Sequence, residues 1–482
     1  MAEEKRFTKT QWKKLKKELC RERRPVWLQL KAGEKKEAFS LARGYKKFLD
    51  TSKTEREAVE NICRLAEEKE FCLFHGPEKQ QRHLFWTFRG KMAAIAAAGT
   101  RPVTDGVRII ASHIDSPRLD LKQNPLYEDL DMGFLKTHYY GGIKKFHWVA
   151  RPLALHGTAI KEDGRKVDIV LGEDTRDPVL TINDLLPHLA LKVQGNKKLS
   201  EAIPAEKLNI LVGGLPLHSP DDASSAVKMG ILKILREKYG LVEEDLISAE
   251  LEIVPAGKAR DVGLDRAFVG AYGHDDRICA YSSLSAILRL KKPDTTGIAL
   301  FLDKEEIGSD GNTGAKSRFM DMVIYDLMRL QGINPEPDSL LRIYMKSRAI
   351  SADVTAGIDP DYMDVHEKRN DAMIGYGVCL TKYTGARGKY SANDAHAEYV
   401  NWLRRIWNHS GVIWQAGELG KVDQGGGGTV AKYLAEKGMD TVDAGTPLLS
   451  MHSPFEIAHK ADLLMTFRAY SAFYTGGYQA GH

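Results

Sequence analysis

The chain has 482 residues, with 70 basic and 65 acidic side chains and 43 % hydrophobic residues. That length bounds the answer at two or three domains, or one large domain carrying an insertion, and it buries a core without disulfide staples. Glycine does not recur at every third position, aliphatic residues are too plentiful for disorder, and no apolar run approaches a membrane span, so collagen-like, disordered and membrane classes are excluded.

The charged opening MAEEKRFTKT lacks an apolar core and predicts no secretory signal. Five cysteines (Cys20, Cys63, Cys72, Cys279, Cys379) include no CxxC pair, which points to reduced thiols in a cytoplasmic protein. Residues 1–36 hold 13 Lys or Arg against 5 Glu, so the net charge of +5 originates there and the remainder is slightly acidic. Trp12, Leu15, Leu19 and Trp27 between the basic residues suit an amphipathic helix with a solvated face, or one docked on a neighbouring subunit. No RNP-like motif or zinc finger supports a nucleic-acid partner.

Three helices are predicted first, near Lys9–Arg24, Lys36–Leu49 and Arg56–Lys69, the last with a capping box of Thr54 and Glu57. Strands Met92–Ala98 and Val107–Ser112 follow. From about Lys122 to Asp261 short apolar runs alternate with turns, as at Tyr140–Gly142, Leu153–Ala159 and Leu208–Val212, and this stretch reads as mainly β. Beyond Asp275, strands (Ile298–Leu302, Val378–Thr381, Val412–Gln415, Thr441–Ala444) alternate with helices (Ile278–Leu290, Ala392–Asn408, Thr429–Lys437, Ile457–Tyr474). The fold class is therefore α/β, a mostly parallel sheet flanked by helices, with residues 1–121 and 262–482 forming one discontinuous domain. Residues 122–261 form a β-rich insertion.

Five polar clusters lie where strands stop, the place where open α/β sheets bind ligands. In RIIASHIDSP, His113 and Asp115 are two apart and share a strand face; the plainer reading is a turn. In YGHDDRIC, Asp275 and Asp276 are suited to capping a helix or to supplying a metal carboxylate. In FLDKEEIGSDG, a strand delivers Asp303, Glu305 and Glu306; solvated surface acids are the default for such a pair. Asp353 follows the apolar run in RAISADV, and His452 ends the run in TPLLSMHSPFE. Together these segments offer the nitrogen and oxygen ligands for two divalent metals, with one bridging carboxylate and a spare glutamate as base.

The order SHIDSPRLDLK, HDDR, DKEEIGS, SADV and SMHSPFE resembles the M18 family of metalloaminopeptidases, the aspartyl aminopeptidase group, from about residue 40 onward. The resemblance implies a dinuclear zinc peptidase with a zinc-peptidase-like catalytic domain, two Zn2+ per subunit held by ligands that also suit Mn2+ or Co2+. His113, Asp275 and Asp353 would hold one metal, and Asp275, Glu306 and His452 the other. Glu305 would be the general base, and Asp115 would support His113. Short peptides would be the substrates, with Lys382 near an acidic N-terminal side chain and the Gly425–Gly428 run, with Gly427 and Gly428, lining the substrate site; a phosphate loop is the competing reading of that run. The resemblance also implies a homo-oligomer, a dodecamer built from dimers through the inserted domain. LPHLALKVQG resembles the loop that closes a neighbouring subunit's site, with Lys192 where the eukaryotic branch has histidine. Rival readings are a dinuclear deacylase or carboxypeptidase, and a peptide-binding scaffold with a degenerate site.

Overall fold

The computed structural model describes residues 7–76, 81–218 and 224–476. The first six residues of the basic segment therefore lie outside the described residues. A nine-stranded sheet runs in the order Cys72–Leu73, His83–Phe88, Met92–Ala97, Gly297–Leu302, Arg108–His113, Arg348–Ser351, Asp440–Gly445, Val378–Thr381, Trp414–Ala416. Its central strands Gly297–Leu302, Arg108–His113, Arg348–Ser351 and Asp440–Gly445 are mutually parallel. Alternate residues divide between two cores: Ile110, Phe301 and Val442 face one layer, and Ile109, Leu300 and Ala349 the other. The first layer contains helices Ala32–Asp50, His274–Ile287 and Lys460–Thr475; the second contains Phe319–Leu330 and Ser339–Lys346. Strands buried on both faces and covered by helices are what parallel pairing requires.

A second sheet takes all its strands from residues 118–255, in the order Lys166–Leu171, Leu153–Ile160, Glu250–Pro255, Arg118–Asp129, Met132–Tyr140, Ile210–Gly213, Thr181–Ile182. Every pairing in it is antiparallel, and it encloses its own apolar core. Its strand Arg118–Asp129 begins four residues before the boundary read at residue 122. The mainly β stretch also carries helix Ala226–Tyr239 packed on this sheet. A small third sheet joins Arg260–Val262, Phe268–Ala271, Glu456–His459, Pro447–Leu449 and Thr355–Ala356.

The predicted capping box forms: Glu57 Oε2 accepts the Thr54 amide at 2.9 Å and Thr54 Oγ1 accepts that of Glu57 at 3.2 Å. Two helix boundaries differ for identifiable reasons. The final helix starts at Lys460 rather than Ile457, because Glu456–His459 is claimed by pairing with Phe268–Ala271. The first spans Lys9–Leu19, with Cys20 extended and Pro25 disfavouring helix at its predecessor. Trp27 therefore lies outside it, stacked on Phe39, while Trp12 and Leu19 are exposed. No described helix is long and apolar enough to cross a membrane.

Candidate metal centre

His113 is the last residue of its strand, in register with Leu302 on the neighbouring parallel strand. Glu305 and Glu306 lie in the helical turn just beyond Leu302, and Asp353 lies two residues past Arg348–Ser351. Asp275 comes from the first turn of His274–Ile287, and His452 from the turn after Pro447–Leu449. Glu305, Glu306 and Asp353 lie beyond the carboxyl ends of central parallel strands and His113 ends one, whereas Asp275 and His452 are delivered from segments that follow strands of the small third sheet.

They do converge. Ligand atoms of His113, Asp275 and Asp353 all lie within 4.8 Å of one another, and so do those of Asp275, Glu306 and His452. Asp275 is common to both groups: its Oδ1 is 3.1 Å from His113 Nε2 and its Oδ2 is 3.2 Å from His452 Nε2. His113 Nε2 is 3.9 Å from Asp353 Oδ1, and His452 Nε2 is 3.4 Å from Glu306 Oε1. The far nitrogen of each ring is also engaged. His452 Nδ1 lies 2.9 Å from the Gly142 carbonyl, which can only accept, so Nδ1 carries a proton and Nε2 faces the carboxylates. His113 Nδ1 meets Asp115 Oδ1 at 3.2 Å and the Asp115 carbonyl at 3.1 Å, with the same consequence.

Two carboxylates organise the surrounding backbone. Asp115 accepts the amides of Glu305 and Glu306 at 3.2 and 3.1 Å and the Tyr140 hydroxyl at 2.8 Å. Burial would raise its carboxyl, but His113, Tyr140 and Arg118 hold it below the ordinary range. Glu456 accepts the amides of Asp275 and His452 at 3.1 and 2.8 Å; burial and the adjacent Asp275 raise it to about 8. Burial also raises Glu305 to about 7, opposed by His113 and His452. Glu306 and Asp353 are pushed up strongly by burial. Burial pulls His452 down, yet Asp275 and Glu306 carry it up to about 10.

The residues fit a divalent metal. Asp275 Oδ1 and Glu306 Oε1 are buried and accept no hydrogen bond, a costly condition for carboxylate oxygens unless a cation faces them. Both imidazoles present Nε2, and the donor set is nitrogen and oxygen without sulfur, as catalytic zinc uses.

The centre floors a cavity of about 500 Å3, lined also by Thr381, Gly426, Gly427, Gly428, Thr429, Lys432 and Tyr433. Gly427 and Gly428 leave backbone facing open space, with no atom within 4 Å of a Cβ built at Gly427. Lys382 is not brought to the cavity. It is exposed one residue past Thr381 and is not among the residues that line the cavity. The lysine that lines the cavity is Lys432 on helix Ala431–Ala435, which sequence reasoning missed. Asp303 is engaged elsewhere, by Lys304 and Thr313, and Asp276 joins neither ligand group. Tyr140, Gly142 and Glu456 were also missed as site residues. In the sequence Tyr140–Gly142 reads only as one of the short runs of the β-rich stretch, and Glu456 only as part of a motif.

Residues 48–474 match the family model described as aminopeptidase I zinc metalloprotease (M18). A probable M18 family aminopeptidase 1 of Clostridium acetobutylicum is 48 % identical over 462 residues, spanning 95 % of this chain and 99 % of that protein. The crystal structure of an M18 family aminopeptidase from Thermotoga maritima superposes with a TM-score of 0.89 at 47 % identity, covering 94 % of this chain and 99 % of that one. The mApe1 dodecamer of S. cerevisiae matches with a TM-score of 0.71 at 19 % identity, over 91 % of this chain and 99 % of that one, a likeness of fold.

Proposed function

The chain belongs to the M18 family of zinc metalloaminopeptidases, and from that premise we propose that it removes N-terminal residues with two zinc ions per subunit and Glu305 as general base. Hydrolysis at peptide N-termini is the activity the family carries. The two-ion reading rests on one observation, the pair of ligand groups sharing Asp275.

His113, Asp275 and Asp353 would hold one ion, and Asp275, Glu306 and His452 the other. Bound zinc supplies Lewis acidity toward the scissile carbonyl and toward water. The chain's own residues do the rest. Glu305, which lines the cavity beside both ligand groups, takes a proton from the attacking water and passes it to the leaving amine. Asp115 holds the Glu305–Glu306 backbone and His113 in one arrangement, so the base and the ligands keep a constant relation. Gly427 and Gly428 let a peptide backbone lie close to the cavity wall. An acidic N-terminal side chain would meet Lys432 rather than Lys382.

We also propose a homo-oligomer, a dodecamer built from dimers, in the cytoplasm. Leu189 and Leu191, on helix Pro187–Val193, expose apolar surface within the chain, as Trp12 does near the N-terminus. All five cysteines are free, as a reducing compartment requires.

Metal analysis of purified protein combined with a panel of free and N-acetylated dipeptides tests this reading. Two zinc equivalents per chain and cleavage of free peptides alone are expected. Cleavage of the blocked peptides would remove the exopeptidase assignment, and a single equivalent would remove the dinuclear one.

A further inference from the structure

The second sheet reaches the metal centre through the hairpin that begins at Arg118 and ends at Tyr140. Its strand Arg118–Asp129 leaves the site five residues after His113, turns at Leu130–Asp131, and returns as Met132–Tyr140. Leu130 and Asp131 both have positive φ, +49° and +57°, the conformation that joins antiparallel strands through two residues. Register then brings Tyr140 back opposite Arg118, beside the point where the hairpin began. The Arg118 guanidinium lies over the Tyr140 ring, 4.0 Å from its centroid, and pairs with Asp120 and Glu252 of the same sheet. The ring is thereby fixed to the second sheet while its hydroxyl points out of it.

That hydroxyl donates to Asp115 Oδ2 at 2.8 Å, and Asp115 in turn receives His113 Nδ1. Two residues on, the Gly142 carbonyl receives His452 Nδ1 at 2.9 Å. One three-residue segment therefore stands behind both histidines, one from each ligand group. Its glycines sit tightly against the ligands, and Gly141 has a φ of +73°. A Cβ at Gly141 would lie 3.2 Å from Glu306 Oε2, and one at Gly142 would lie 3.3 Å from His452 Nδ1.

We propose that Tyr140 and the Gly142 carbonyl are positioning groups through which the β-rich unit sets the orientation, and hence the zinc affinity, of His113 and His452. Tyr140 acts through Asp115, and Gly142 acts on His452 directly. This rests on the dinuclear zinc reading above. Direct partners of metal-bound histidines, here Asp115 and Gly142, are worth roughly 10–100-fold in affinity or activity, and Tyr140, which acts through Asp115, falls at the low end of that range.

The test uses Tyr140→Phe in the full-length zinc enzyme, because phenylalanine keeps the ring under Arg118 and removes only the hydroxyl. Zinc affinity is read by competition with a chromophoric chelator, alongside kcat and KM. Expected are a loss of about tenfold or more in affinity for one of the two zinc equivalents, a lower kcat and an unchanged KM. In an Asp115→Asn background the same substitution should add less than about twofold, since coupled residues are not additive. Tyr139→Phe, an exposed neighbour on the same strand, is the control and should match wild type. Gly142→Ala should weaken the other equivalent by crowding His452. Wild-type zinc affinity and kcat in Tyr140→Phe would overturn the positioning role, and full additivity with Asp115→Asn would overturn the route through Asp115. Wild-type protein that binds no zinc would instead overturn the metal reading beneath both.

Discussion

The two halves of the centre share Asp275 but are built differently. The His113 side chain is 2 % exposed and that of Asp353 12 %, whereas that of His452 is 36 % exposed. His113 ends a strand with hydrogen-bonded neighbours on both sides, so sheet register sets its position. His452 stands in an irregular turn where Ser450 and His452 itself have positive φ, and it is held by Gly142 and Glu456. His113 is thus positioned by the core and His452 by individual hydrogen bonds at the cavity mouth. Buried ligands exchange slowly because the fold must open to release them, and loop-held ligands do so more readily.

The largest expected effect lies between the halves. Glu305→Gln should lower kcat by on the order of 10³-fold, the range general bases contribute, while both zinc equivalents remain by elemental analysis. Retained turnover would take Glu305 out of the mechanism. The comparison itself is tested by chelation. Zinc release should be biphasic, and His452→Ala should abolish the faster phase while leaving the slower one. A single phase would make the halves equivalent. A smaller effect concerns the cavity wall. Lys432→Ala should lower kcat/KM about tenfold for Asp- and Glu-first dipeptides relative to Leu-first ones, as expected for losing one charge contact of about 1.4 kcal/mol. Lys382→Ala should not alter that ratio.

Activity should be least affected at a residue belonging to neither half. His459 accepts from Trp27 Nε1 at 3.1 Å, and burial lowers it to about 4. An unfolded histidine takes its proton near pH ~6.5, so between that pH and about 4 the unfolded state binds more protons than the folded one. Stability is therefore complete above this window and declines as pH falls through it, by on the order of 3 kcal/mol. His459→Gln, which keeps an acceptor for Trp27, should flatten that decline in denaturant titrations and leave kcat at neutral pH unchanged.

Much of the central sheet was legible because its strands are short apolar runs ended by polar clusters. Val378–Thr381 matches its predicted bounds, Met92–Ala97 and Gly297–Leu302 differ by one residue at one end, and Asp440–Gly445 by one residue at each end. Helices Phe319–Leu330 and Ser339–Lys346 went unread, as did Ala226–Tyr239 inside the β-rich stretch. Ile457–His459 reads as the start of a helix because the pairing partner of strand Glu456–His459, Phe268–Ala271, is nearly two hundred residues away, and no local pattern announces such a contact. Lys382 and Lys432 show the same limit at the site. A lysine at a strand end and a lysine in a short helix look alike in a sequence, and only the path of the chain decides which one faces the cavity.

By itself, the sequence determined the kind of chemistry available. It contains His113, Asp275, Glu305, Glu306, Asp353 and His452 at the ends of apolar runs, an α/β alternation around a β-rich stretch, and no sulfur ligand among them. Tertiary structure alone decided that His113, Glu306, Asp353 and His452 meet around Asp275 with Glu305 lining the same cavity, that a hairpin of the second sheet brings Tyr140 and Gly142 behind both histidines, and that Lys432 rather than Lys382 lines the cavity. The physical reason is range: residue chemistry and periodicity are local properties, whereas a metal centre depends on angstrom-scale distances between segments that only sheet register and packing bring together.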